Sequence, residues 1–296
     1  MDSRDRDFWE ALADDLAAAG LPGPLGRPRR LGGGCIHGAA RVDAGTRPLF
    51  VKHNAPACAD MFAAEAEGLE ALAAPGAVRV PRPLAQGVAG GRAYLVTEFI
   101  EMGPAGDAAA SGAAVARLHA ATAGAFGWHR DNWIGSTPQP NGWHDDWPAF
   151  WRERRLRPQL DLAEADGRAR LAERGRRLAE RVRGLLADHR PAPSVLHGDL
   201  WAGNHAYDRS GTGCLFDPAT YYGDREADLA MTELFGGFPR TFHEGYEAEW
   251  PPAPGYPARR TLYNLYHVLN HAHLFGGGYA RRAADMIEEL LAETAG

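Results

Sequence analysis

Apolar positions change period several times along the 296-residue chain. Phe8, Leu12 and Leu16 recur every fourth residue, which predicts an amphipathic helix over about 6–19 that Gly20 stops. A Pro/Gly-rich connector runs from Leu21 to Arg30. The tract Leu31-Gly32-Gly33-Gly34-Cys35-Ile36 is flanked by strand-like residues, and Leu49-Phe50-Val51-Lys52 reads as a strand. Helical spacing returns with Met61, Phe62, Leu69 and Leu72, over about 59–74, and ends at Pro75-Gly76. Leu84–Val88 and Ala93–Ile100 predict a hairpin that turns at Gly90-Gly91. Helix dominates after residue 101: about 107–124, 147–165 and 168–189, a helix entered through Tyr221–Met231, then 259–275 and 279–295. The expected class is α+β with two lobes around a cleft, a sheet-rich N-lobe over 1–100 and a mostly helical C-lobe over 101–296.

Composition narrows the functional classes. Hydrophobic residues make up 45% of the chain, enough for a globular core. The net charge of −6 argues against nucleic acid as a partner. No run of about 18 apolar residues occurs, so no membrane span is expected. The three cysteines, Cys35, Cys58 and Cys214, lack metal-ligand spacing, and the first residues are charged, so a reducing, cytoplasmic setting is expected. Of the 32 Lys plus Arg residues, only Lys52 is a lysine. A chain that uses Arg everywhere else retains a compact ammonium at the end of a strand, where phosphate is a fitting ligand.

The stretch with most chemistry is Val195-Leu196-His197-Gly198-Asp199-Leu200-Trp201-Ala202-Gly203-Asn204, followed by Cys214-Leu215-Phe216-Asp217. Asp199 and Asn204 have the five-residue separation of the kinase catalytic loop, H-R-D-x-x-x-x-N, with Gly198 in place of the Arg. The pattern makes Asp199 a base for a hydroxyl, and Asn204 and Asp217 oxygen ligands for Mg²⁺ on ATP. Each residue alone is a common turn or cap residue; the combination is not. Gly32, Gly33 and Gly34 suit a backbone that approaches phosphates. Glu65 and Glu67 share the second helix but face different ways, and Glu65 is expected to clamp Lys52. Backbone groups of Glu98, Phe99 and Ile100 stand at the lobe boundary as a hinge for adenine.

The segment Phe126 to Asn141, with Trp143 and Trp147 beyond it, lacks clear periodicity and is rich in aromatic and amide groups. Such groups suit a polyhydroxy ligand, which makes Asn132, Gln139 and Asn141 candidate substrate contacts. His119 is read as a core hydrogen-bonding residue. Asp228 is read either as a buttress of the catalytic loop or as a helix cap. His271 and His273 cannot share a helix face, and His273 is the one expected at the cleft.

These residues resemble the fructosamine kinase (ketosamine-3-kinase) family, within the aminoglycoside phosphotransferase and protein-kinase-like superfamily. The resemblance rests on Leu196 to Asn204, on Asp217-Pro218-Ala219-Thr220-Tyr221-Tyr222-Gly223, on Arg225 to Gly237, on Gly135 to Asn141 and on Leu269-Asn270-His271. It implies a two-lobed kinase fold, ATP with Mg²⁺, and phosphorylation of the sugar 3-hydroxyl of a free or protein-bound ketosamine, which amounts to deglycation. It also implies that Trp201 faces the sugar, and that Cys35 allows a redox-linked homodimer beside the monomer. Pro218 stands where protein kinases have Phe-Gly, so their loop flipping is not expected here. The alternatives are a related kinase of another metabolite and a nucleotide-binding pseudokinase module.

Overall fold

A computed structural model of the protein describes residues 3–21, 24–32 and 37–293 and has the two-lobed α+β architecture of protein kinases. The N-lobe sheet contains β1 (Arg29–Arg30), β2 (Gly38–Ala44), β3 (Arg47–Asn54), β4 (Pro83–Ala89) and β5 (Arg92–Glu98). Its order is β1-β2-β3-β5-β4, with every neighbouring pair antiparallel. Alternation along β3 sorts the two faces. Leu49 and Val51 pack outward against α1 (Ser3–Ala18), whose Phe8, Leu12 and Leu16 are buried. Lys52 points the other way, toward α2 (Ala59–Ala73).

The C-lobe holds α3 (Ala108–His119), the hairpin β6 (Asn132–Ile134) and β7 (Thr137–Gln139), then α4 (Trp147–Phe150), α5 (Arg157–Ala165), α6 (Ala169–Ala179) and α7 (Val182–Leu185). After these come β8 (Ser194–Leu196), β9 (His205–Tyr207), β10 (Gly213–Leu215) and β11 (Tyr221–Gly223). The chain closes with α8 (Glu226–Leu234), α9 (Arg240–Glu249), α10 (Tyr256–Phe275) and α11 (Tyr279–Glu293). β8 pairs with β11, and β9 with β10, so the catalytic stretch is held between two small ladders. Among the described residues, no helix is long and apolar enough to cross a membrane.

Four expectations need correction. The helix over 107–124 is α3 and stops at His119. The helix over 147–165 is split by a π-helical stretch, Trp151–Leu156; its wider turn brings Trp151, Arg155 and Leu156 all into the core. The helix over 168–189 is α6 and α7 with a break between them. Leu171, Leu178, Val182 and Leu186 carry one apolar stripe across that break, which hides it from the pattern. Finally, α9 was not anticipated. It crosses α3 closely at glycines: a Cβ on Gly112 would lie 1.9 Å from the Phe242 carbonyl oxygen, and one on Gly245 2.1 Å from that of Ala109.

Candidate active site

The loop after β8 is fixed by buried groups that leave its carboxylate at the cleft. Gly198 has φ of 80°, and a Cβ there would sit 2.1 Å from the Ala219 carbonyl oxygen. Only glycine fits this turn, which is why no Arg follows His197. The His197 ring is buried and neutral, because burial depresses its pKa. Its Nδ1 accepts the Asp199 N–H at 3.2 Å, and its Nε2 donates to the Phe216 carbonyl at 3.0 Å. One imidazole therefore ties the base to the residue before Asp217. Beneath them lies Asp228, the helix residue left open between two roles. Its carboxylate accepts the backbone N–H groups of His197 at 2.6 Å and Gly198 at 2.9 Å. His119 Nε2 meets the same carboxylate at 3.2 Å, and its Nδ1 bonds the Tyr246 hydroxyl at 2.8 Å. Asp228 is thus a buttress, and His119 is the core residue expected.

Asp199 itself is half-buried. Burial pushes its carboxyl up to about 7; Asp217 and Asp228 add to this, and the Asn204 amide opposes it. Asn204 Nδ2 donates to the Asp199 carbonyl at 2.9 Å and to its carboxylate at 3.1 Å. That uses the amide nitrogen as the internal tether. Asp217 holds φ of 56°, the one non-glycine with positive φ among the described residues. Such a conformation persists where the surroundings impose it, often at functional sites.

Lys52 Nζ donates to Glu65 at 2.6 Å and to Asp217 at 2.5 Å. Burial alone would depress this ammonium, but the two carboxylates outweigh it and hold its pKa above the ordinary lysine value. Glu65 is therefore the helix partner of Lys52. Glu67, one step round α2, joins Arg130 of the C-lobe at 2.8 Å and His129 at 3.0 Å. Arg130 also pairs with Asp60 at the start of the same helix. Gly68 brings α2 onto the loop after Asp217: a Cβ there would lie 3.0 Å from Thr220 Oγ1 and 3.3 Å from Pro218 Cγ.

At the lobe crossing, the Glu98 carboxylate accepts Arg82 N–H at 2.9 Å and the Arg79 guanidinium at 3.1 Å. Phe99 lies under the Arg41 guanidinium, 4.8 Å from the ring centre, and Ile100 is buried. These side chains anchor the linker, where the Glu98 N–H donates to the Arg82 carbonyl at 2.9 Å and the Phe99 N–H to the Pro48 carbonyl at 3.4 Å. Gly32 is exposed at the start of the Gly-rich tract. Gly33, Gly34 and Cys35 lie outside the described residues.

The expected sugar contacts are largely overturned. Asn132, Gln139 and Asn141 are 4%, 1% and 1% exposed. Asn132 Nδ2 donates to the Thr220 carbonyl at 2.7 Å, and Gln139 Nε2 to the Ala219 carbonyl at 3.1 Å. Asn141 Nδ2 and Gln139 Nε2 both donate to Asn132 Oδ1, at 3.0 and 2.7 Å. Arg155 Nη2 closes the network on Asn141 Oδ1 at 2.8 Å, with its guanidinium 3.9 Å from the Tyr221 ring centre. These buried amides brace the backbone behind Asp217. His273 pairs with Asp166 at 2.9 Å, at the end of α5. His271 packs 4.6 Å from the Phe235 ring. Trp201, two residues past Asp199, is 40% exposed.

Comparison with known proteins gives consistent matches over nearly the whole chain. The profile of the family described as fructosamine kinase matches residues 9–293. A probable ketoamine kinase of Synechocystis sp. is 46% identical over 287 residues, 96% of this chain and 97% of that one. The chloroplastic protein-ribulosamine 3-kinase of Arabidopsis thaliana is 41% identical over 266 residues, 88% of this chain and 81% of that one. Among crystal structures, a Haemophilus somnus protein provisionally described as a fructosamine-3-kinase superposes with a TM-score of 0.89. It is 27% identical, and the match covers 98% of this chain and 100% of that one.

Proposed function

The chain belongs to the fructosamine kinase family, and from that premise we propose that it transfers the γ-phosphoryl group of ATP to the sugar 3-hydroxyl of a ketosamine. The observation that carries this reading is the convergence of Lys52, Glu65, Asp199, Asn204 and Asp217 on one cleft, with Trp201 exposed beside the base. Asp199 takes the hydroxyl proton as that oxygen bonds to the γ-phosphorus. The bond from this phosphorus to the ADP oxygen breaks, and ADP leaves with the electron pair.

Lys52 is the phosphate cation. It is already charged and aligned by Glu65, and incoming phosphate oxygens take over its contact with Asp217. Gly32, with Gly33 and Gly34, covers the phosphates. The backbone of Glu98, Phe99 and Ile100 reads the adenine. The carboxylate of Asp217 and the amide oxygen of Asn204 are hard oxygen donors that suit Mg²⁺. When bound, that ion neutralises phosphate charge. Trp201 offers its ring face to the sugar. A ketosamine phosphorylated at C3 can enolise from its C2 carbonyl toward C1, expel inorganic phosphate from C3 to leave a C1 imine, and release the free amine when water hydrolyses that imine, so the outcome is deglycation.

The test is ATP turnover with magnesium against a fructosamine, a ribulosamine, the free sugars and an aminoglycoside. Phosphate on a ketosamine, none on the aminoglycoside, and a loss of about 10²–10⁴-fold in Asp199→Ala support the reading. Turnover of the aminoglycoside alone, or full activity in Asp199→Ala, overturns it.

A further inference from the structure

Arg155 is a buried cation without a counter-ion, and it stands at the head of the amide network behind Asp217. It is 0% exposed. It donates to the carbonyls of Pro140 at 2.7 Å and Arg154 at 2.9 Å and to Asn141 Oδ1 at 2.8 Å, all uncharged oxygens. Among the described residues it joins no carboxylate, and its Nε has no partner. Ring faces make up much of its other surroundings: Tyr221 at 3.9 Å, Phe150 at 4.7 Å and Tyr266 at 5.8 Å from the guanidinium. Burying a charge in this way is expensive, and an apolar side chain of similar length would fill the space at lower cost. What the charge contributes lies in the bonds it directs.

The oxygen and nitrogen of a primary amide have nearly the same shape, so a chain of amides is satisfied in either sense until an end is fixed. A guanidinium only donates. Asn141 therefore turns its Oδ1 to Arg155, which aims its Nδ2 at Asn132 Oδ1 and at the Arg130 carbonyl, each 3.0 Å away. Asn132 is left to offer its Nδ2 to the Thr220 carbonyl, at 2.7 Å. Gln139 follows the same sense. Its Nε2 donates to Asn132 Oδ1 at 2.7 Å and to the Ala219 carbonyl at 3.1 Å, while its Oε1 accepts the Tyr266 hydroxyl at 2.7 Å. The relay thus runs from a group that only donates to two carbonyls that only accept. Those carbonyls adjoin the site. The Ala219 N–H donates to the His197 carbonyl at 2.8 Å, and the Ala219 oxygen is the one that Gly198 makes room for. Two residues before Ala219, Asp217 keeps its φ of 56°, a conformation that persists where its surroundings impose it.

We propose that Arg155 is a positioning residue for Asp217: its charge sets the sense of the amide relay, and the relay holds the backbone from Asp217 to Thr220 in the form that presents the Asp217 carboxylate to Mg²⁺. This inference rests on the reading of Asp217 as a magnesium ligand given above. The test is calorimetric binding of ADP, with and without Mg²⁺, to wild type, Arg155→Met and Arg155→Lys, which needs no turnover. Arg155→Met fills the space between the rings without the charge. It is expected to weaken MgADP about 10-fold, the scale of a lost outer-shell support of a metal ligand, and to leave the affinity for ADP alone unchanged. Arg155→Lys is again a donor only and is expected to recover most of that loss. Where Arg155→Met does not fold, Asn132→Asp answers the same question. It is nearly isosteric, keeps Arg155 in place and removes the donor to Thr220, so the same magnesium-specific loss is expected. Unchanged MgADP affinity in the variant that folds overturns the inference. Equal losses with and without Mg²⁺ mark a packing role and also overturn it, as does an Arg155→Lys that binds MgADP no better than Arg155→Met. Each of these leaves the magnesium reading standing. A wild type that binds ADP no better with Mg²⁺ than without it overturns both.

Discussion

Replacing Asp228 with Asn separates support of the catalytic loop from helix capping. The wild-type carboxylate accepts three hydrogen bonds, at 2.6, 2.9 and 3.2 Å, from His197 N–H, Gly198 N–H and the His119 ring. An amide has one oxygen, so its NH₂ group must face one of the two backbone donors. An orphaned buried donor costs about 1–3 kcal/mol, and the remaining bonds lose their charge assistance. The expected loss is about 2–5 kcal/mol, a large part of the roughly 5–15 kcal/mol that stabilises a typical native protein. Urea denaturation of wild type and Asp228→Asn measures it as a lowered midpoint at constant slope.

The pH dependence supplies a second reading of the same variant. Burial alone would raise the Asp228 pKa, but the His119 contact and the Gly198 N–H outweigh it and hold the pKa below its ordinary 3.8. A depressed folded-state pKa gives stability that is complete above the unfolded value and is lost as pH falls through the folded one. The gap between wild type and variant should therefore be constant from neutrality to about pH 4 and close below that. Turnover should fall at least tenfold, because displacement of the loop moves Asp199. A stability change under about 0.5 kcal/mol with unaltered turnover would refute the buttress.

Asp199 acts as its carboxylate, and burial lifts that carboxyl to about 7. The kcat/KM for ATP, which reports the free enzyme, should rise through neutrality and level off above it; a flat profile between about pH 5.5 and 8.5 would rule out Asp199 as the titrating base. Arg130→Ala removes the ion pairs of Asp60 and Glu67 with the C-lobe and leaves the contact of Glu67 with His129. Its partners Glu67 and Asp60 have side chains 33% and 68% exposed, so the stability loss should be about 1 kcal/mol or less. The KM for ATP should nonetheless rise several-fold, because α2 also carries Glu65. Unchanged ATP kinetics would show that the His129 contact and the packing at Gly68 suffice to hold the helix.

The residues of the candidate site that the structure brings together were legible because the chemistry proposed for them demands a fixed spacing over a short stretch. Lys52 was legible for a compositional reason, as one lysine among many arginines. The amides of Asn132, Gln139 and Asn141 were misread because a ligand-lining amide and a bracing amide have the same residue type. What separates them is Arg155, which lies in the run Trp151-Arg152-Glu153-Arg154-Arg155 and reads there as one more solvated charge. The π-helical turn that swings it inward leaves no periodic signature. Phe242 and Tyr246 are four apart, which is the signal that could have revealed α9. Its close crossing with α3 depends on Gly112 and Gly245, whose role appears only when the two helices are seen together.

The solitary Lys52 has a consequence for the chemistry of the protein's own surface. Reducing sugars condense with unprotonated primary amines, and no other side chain in this sequence carries one. Lys52 is 9% exposed and is kept protonated between Glu65 and Asp217. The chain thus offers a glycating sugar no accessible lysine to modify, while its arginines retain the positive charge that lysines would otherwise provide.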